Sequence, residues 1–211
     1  MQPGESYEGE YTKPTTDYLR DTGIRPEDWP VLTQHLARPH RTTDVEIYRL
    51  AIEKWNATKE RLQYSNLPER LITHKNVKSF LDRFKVVAAE LPHAQTVVAH
   101  INRDGHYYIH PEYEQGRSLS VRESARLQTF PDDFYFEGSR TAIFKQIGNA
   151  VPPLLATEIG HRVWAMLDGT GEVCGAKAPK ERMKHERPVI IPVQQMQLFP
   201  VTETLQPALA M

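Results

Sequence analysis

Sixteen prolines interrupt the 211 residues of this chain, so long irregular stretches are predicted, with the core assembled from short elements. Residues 1–43, rich in Pro, Thr, Gly and Asp, read as mostly irregular. Helical signals begin at Thr43-Asp44-Val45-Glu46, which fits a capping box. Val45, Tyr48, Ile52, Trp55 and Leu62 then recur at helical spacing, and Asn66-Leu67-Pro68 ends the region. Thr96–His100 reads as a short buried strand. A turn at Arg103-Asp104-Gly105 is predicted to return the chain along a strand at His106–His110. Ser120-Val121-Arg122-Glu123 is a second capping box, opening a helix to about Gln128 that Pro131 prevents from continuing. A further helix is expected from about Pro152 to Leu167, with Leu155, Ile159, Val163 and Met166 on one apolar face and Gly169 just past its end. Residues 168–211 read as a flexible tail.

Hydrophobic residues make up 39% of the chain and charged residues 25%, which indicates a globular body. No apolar run approaches the roughly 18 residues needed to span a membrane, and the N-terminus has no signal-peptide core. The single cysteine, Cys174, excludes an internal disulfide and a cysteine-based zinc site. A cytoplasmic location is expected. The net charge of -1 conceals an asymmetry. Residues 1–37 carry three Lys/Arg against seven Asp/Glu, and residues 38–85 carry eleven against six. A basic segment of that kind can meet phosphates, although a solvated helical surface has the same composition.

Two long strings carry most of the functional information. The first runs Arg117-Ser-Leu-Ser-Val-Arg122-Glu123-Ser-Ala-Arg126-Leu-Gln128-Thr-Phe130-Pro131-Asp132. The second is Gln146-Ile-Gly148-Asn149-Ala-Val151-Pro152-Pro153-Leu-Leu-Ala156. On a bare reading the first is a surface helix with local ion pairs. The second reads as a helix N-terminus, whose free amides and positive dipole suit an anionic or polar group, or as a plain Asn cap. Together, in order and separation, the strings resemble motifs IX and X of DNA (cytosine-5-)-methyltransferases. Asp82-Arg83-Phe84, Thr96–His100 and Tyr108-Ile-His110-Pro111 resemble the stretch that precedes motif IX. The resemblance is strong over residues 82–167 and weaker over 1–81.

The resemblance implies the C-terminal part of a bacterial-type enzyme of restriction-modification systems. Residues 1–116 would form the target-recognition region and 117–167 the motif IX and X helices. The expected fold is α+β: a small mixed recognition domain, plus a C-terminal helix that would pack on a Rossmann-like catalytic domain not contained in this sequence. Arg117, Arg122, Glu123, Arg126 and Gln128 would be structural, bracing the recognition region. Gln146, Gly148, Asn149 and Val151 would line the edge of the S-adenosylmethionine pocket. Candidates for contact with double-stranded DNA are Arg70, His74, Lys75, Asn76, Lys78 and Arg83.

The family's Phe-x-Gly-x-Gly cofactor loop is absent, since residues 1–104 hold only Gly4, Gly9 and Gly23. Its Pro-Cys nucleophile is absent too, because Cys174 follows Val173. No catalytic residue is therefore assigned, and methylation is expected to need an N-terminal chain that carries the cysteine. A natural split subunit, a fragment of a longer reading frame and a degenerate remnant remain open. The rival function is a non-catalytic DNA-binding accessory module, for which motif X would have no use. A hydrolase built on His35, His40, His74 or His100 has little support, because these histidines lack metal-ligand spacing. In the tail, Gln195-Met-Gln-Leu198-Phe199 resembles the peptide by which bacterial DNA enzymes bind the replication sliding clamp. The alternative is that this tail folds back on the apolar face at 155–166.

Overall fold

The computed structural model describes residues 9–10, 15–26, 29–72, 79, 81–91, 93–103 and 105–169. The described part is mixed but mostly helical. A two-stranded antiparallel sheet pairs β1, Gly9–Glu10, with β2, Val31–Leu32, with Gly9 opposite Leu32. The helices are α1 (Asp17–Asp21), α2 (Thr42–Thr58), α3 (Val121–Leu127), α4 (Arg140–Asn149) and α5 (Pro153–Leu167). Short 3-10 turns lie at Tyr64–Asn66, Glu69–Leu71 and Ala99–Asn102.

Helix α2 is capped two residues before the expected cap at Thr43. Its N-cap is Arg41, whose backbone N–H donates to the Asp44 carboxylate at 3.4 Å. A carboxylate in the first turn also meets the positive end of the helix dipole, so Asp44 takes the reciprocal capping role and Glu46 turns outward to Arg70. The helix stops where Lys59 adopts a left-handed backbone, φ 58°. Leu62 lies beyond it and bridges to Phe84. Ile47, Tyr48, Ala51 and Ile52 bury one face of α2 against Leu62, Tyr64, Leu71, Phe84 and Ile109.

The hairpin expected over 96–110 does not form. Residues 94–98 are irregular and run into the turn Ala99–Asn102. The Tyr108 hydroxyl accepts from Val98 N–H at 3.1 Å and donates to the Thr96 carbonyl at 3.0 Å. One side chain thereby satisfies backbone groups that a strand ladder would otherwise pair. Ile109 makes the sheet-like contacts instead, bridging Val86 in parallel and Ser118 antiparallel.

Helix α3 follows the sequence closely. The Ser120 hydroxyl accepts from Glu123 N–H, and the Glu123 carboxylate accepts from Ser120 N–H at 2.7 Å. Helix α4 has no counterpart in the sequence reading. Ser139 caps it, accepting from Ala142 N–H at 3.3 Å. Its Ile143, Phe144 and Ile147 join Val87, Val97, Ile101, Tyr108, Leu119, Val121 and Phe136 in a second core. Helix α5 keeps its predicted limits and buries no residue. Leu155, Ile159, Val163, Trp164 and Met166 are all exposed, Trp164 by 70%.

Candidate functional site

Every residue of α3 from Val121 to Arg126 is buried, which overturns the reading of this string as a surface helix. A buried charge is tolerable only when its polar atoms are hydrogen-bonded, and each one here makes hydrogen bonds, most of them within an ion pair. Arg117 grips Glu123 with two parallel bonds of 2.7 and 2.8 Å. Burial alone would raise the Glu123 carboxyl, but Arg117, with His110 and His35 behind it, brings it down to about 2. Arg126 Nε donates to Asp132 at 2.7 Å, and Arg25 donates to the same carboxylate at 2.8 Å. Burial opposes the Asp132 charge, yet these guanidinium groups hold its pKa below the ordinary value.

Arg122 is fully buried, and among the described residues no carboxylate lies within bonding distance of it. It donates to the Thr33 carbonyl (3.1 Å), the Thr33 hydroxyl (2.9 Å), the Pro131 carbonyl (3.0 Å) and the Phe134 carbonyl (2.9 Å). Burial lowers its pKa to about 10, which leaves it charged at neutral pH. A guanidinium has five donors in a fixed fork and so can serve several carbonyls at once. Arg122 thus ties the segment at 33 to the loop at 131–134. Gln34 repeats the link, accepting from Phe136 N–H at 3.0 Å and donating to the Phe136 carbonyl at 2.8 Å.

The second string sits differently from its sequence reading. Gly148 and Asn149 precede the N-terminus of α5, as expected, but they also form the C-terminal end of α4. At the start of α5, Pro152 and Pro153 lack an N–H, and Leu154 N–H donates to the Thr129 hydroxyl at 3.1 Å. The start of α5 therefore offers few free amides. Gly148 faces inward: a Cβ on it would lie 2.6 Å from the Val98 carbonyl oxygen. It lets α4 approach the turn at Ala99–Asn102. Gln146, Asn149 and Val151 are exposed, Val151 by 58%. Gln146 donates to the Glu137 carbonyl at 2.8 Å.

Of the candidate DNA contacts, Arg70 is an exposed fork on Glu46, which holds the Glu46 carboxyl below its ordinary value. Arg83 lies 4.2 Å from the centre of the Tyr64 ring and donates to the Ser79 carbonyl at 3.1 Å. His74, Lys75, Asn76 and Lys78 lie outside the described residues, as do Cys174 and the segment with Gln195, Leu198 and Phe199.

Sequence reasoning missed a polar cluster around Tyr48. The Tyr48 hydroxyl is 2.8 Å from His106 Nδ1 and 3.4 Å from His40 Nδ1, and His40 Nε2 accepts from Ser118 N–H at 3.1 Å. No local spacing signals it, since the three segments are far apart in the chain. Burial pushes His40 and His110 down to about 4, so both are neutral in the fold. Among the described residues no group of three His, Cys, Asp or Glu side chains could hold a metal ion.

The profile of C-5 cytosine-specific DNA methylases matches residues 8–164 of this chain. The chain belongs to that family. The match extends well upstream of residues 82–167, where the resemblance is strongest. This C-5 methylase chain is 56% identical over 145 residues to the type II methyltransferase M.Bpa9945I of Bacillus paralicheniformis, covering 68% of the chain and 32% of that protein. It is 38% identical over 112 residues to the type II methyltransferase M.AgeI of Thalassovita gelatinovora, covering 53% of the chain and 25% of that protein. It is 47% identical over 74 residues to the DNA (cytosine-5-)-methyltransferase M.ApeKI of Aeropyrum pernix, covering 35% of the chain and 15% of that protein. The C-5 methylase chain therefore spans a third or less of these relatives. No helix among its described residues is long and apolar enough to cross a membrane.

Proposed function

We propose that this chain is the C-terminal part, or second subunit, of a DNA (cytosine-5-)-methyltransferase. It recognises the DNA target and completes the edge of the S-adenosylmethionine pocket. The observation that carries the reading is the pairing of two exposed features. The apolar face of α5 is uncovered, and Gln146, Asn149 and Val151 stand exposed just before it. An apolar stripe of that size on a globular body fits a surface meant for another domain. The catalytic half that carries the Pro-Cys and the glycine-rich loop is the natural occupant.

Asn149 and the Gln146 amide oxygen offer polar contacts beside the apolar Val151 side chain, a donor set that fits a ligand with polar edges and an apolar face. S-adenosylmethionine supplies the methyl group when bound. In this chain Asn149 would bind the cofactor edge, and Val151 would exclude water from it. Arg117, Arg122, Glu123, Arg126 and Gln128 hold the two functional regions in register. Arg70 and Arg83, with His74, Lys75, Asn76 and Lys78, are the proposed DNA contacts. The partners are double-stranded DNA and the cysteine-bearing catalytic half.

Transfer of labelled methyl groups to DNA tests this. The chain alone is expected to transfer none, and addition of a matching N-terminal half with the Pro-Cys is expected to restore transfer. Transfer by the chain alone that Cys174→Ala abolishes would overturn the proposal.

A further inference from the structure

The two residues that follow α3, Gln128 and Thr129, each hold one side of the turn between α4 and α5. The Gln128 carboxamide is buried and donates to the carbonyls of Ile147 (2.9 Å) and Ala150 (3.3 Å). Ile147 lies in the last turn of α4, where its carbonyl also accepts from Ala150 N–H at 3.3 Å, and Ala150 caps that helix end. The adjacent Thr129 hydroxyl accepts from Leu154 N–H at 3.1 Å, which caps the first turn of α5. Thr129 has a left-handed backbone, φ 61°. That conformation is uncommon for a β-branched residue and persists only where the surroundings demand it. Here it changes the chain direction so that successive side chains reach opposite ends of one turn. Between those ends stand Asn149 and Val151.

We propose that Gln128 and Thr129 are positioning residues for the methyl-donor pocket: together they hold the 149–152 turn at the angle that presents Asn149 and Val151 to S-adenosylmethionine. The inference rests on the assignment of Asn149 to that pocket. The same helix carries Arg122 and Glu123, so a displacement of the recognition region reaches the donor edge through one rigid element. Gln128 and Thr129 touch no donor atom in this reading. Their effect is on the backbone that bears the contacting groups.

The test compares variants at two levels. In the 211-residue chain, Thr129→Ala should raise hydrogen exchange at the Leu154 amide about tenfold or more and leave the amides of α2 unchanged. Thr129→Ser, which keeps the hydroxyl, should restore protection. Gln128→Glu sets a carboxylate against two carbonyls and should speed exchange at Ala150 and in the last turn of α4. In the enzyme assembled with its catalytic half, Thr129→Ala should weaken S-adenosylmethionine binding about tenfold, and Thr129→Ser should recover it, with DNA affinity unchanged in both. Unchanged exchange at Leu154 overturns the inference. So does faster exchange with unaltered donor affinity, provided that Asn149→Ala still weakens donor binding. If Asn149→Ala leaves donor binding intact, the pocket assignment itself fails, and the inference with it.

Discussion

Arg122 donates four hydrogen bonds to groups on two separate segments and is completely buried. Arg122→Ala would remove all four donors and leave buried oxygens unpaired, a loss of about 3 kcal/mol or more. The expected outcome is a fall in Tm of about 10 °C, measured by circular dichroism. Arg122→Lys should recover little of it, because an ammonium lacks the planar fork that reaches Thr33, Pro131 and Phe134 together. A Tm within 2 °C or so of the native value in Arg122→Ala would show that the segment at 33 is held by other contacts.

Among the described residues, α5 is the one helix whose apolar face finds no core. Its spacing of Leu155, Ile159 and Val163 is that of a buried helix, yet all three are about half exposed or more, and only Leu154 at its start touches a core, that of Tyr18, Leu19 and Ile24. Its first turn anchors the helix through Leu154. Replacing Ile159, Val163 and Trp164 with Gln should therefore leave the Tm of the chain nearly unchanged while raising its solubility. The same variant should fail to join the catalytic half in a pull-down. A large drop in Tm would show that this face is covered within the chain.

For the molecule as a whole, the buried titratable groups set the pH range of stability. His40 and His110 ordinarily titrate near 6.5 but only at about 4 in the fold. Between those values the unfolded chain binds protons that the folded chain excludes. Stability is therefore fully present above about pH 6.5 and declines as the pH falls toward 4, with the larger share from the more deeply buried His110. Glu123 adds a loss at lower pH, because its stabilising charge is present above its ordinary 4.5 and disappears as the pH falls through about 2. Thermal melts from pH 8 to 4 should show Tm falling below pH 6.5, and His40→Gln with His110→Gln should flatten that decline. An unchanged Tm between pH 6.5 and 4.5 would mean that both rings are protonated in the fold.

The features legible in the sequence are those fixed by contacts three or four residues apart. The Ser120–Glu123 capping box, the stop before Pro131 and the start of α5 at its proline pair all depend on local backbone hydrogen bonds and fixed proline geometry. The motif strings likewise identified the family from residue order alone. Tertiary structure decided what those residues face. Arg122, Arg126 and Glu123 have the composition of a solvated surface. Glu123 and Arg126 find carboxylate–guanidinium partners nearby in sequence, Arg117 and Asp132, but Arg122 and Asp132 also need partners about a hundred residues away, Thr33 and Arg25, for their burial to be tolerable. The hairpin at 96–110 was lost because the Tyr108 side chain satisfied the backbone in place of a strand. Gly148 looked like the entry to a helix, and the close approach of the 98–99 backbone makes it a packing contact at a helix end. Local patterning carries the periods and caps of elements, while the orientation of each element depends on distant groups that must be paired once water is excluded.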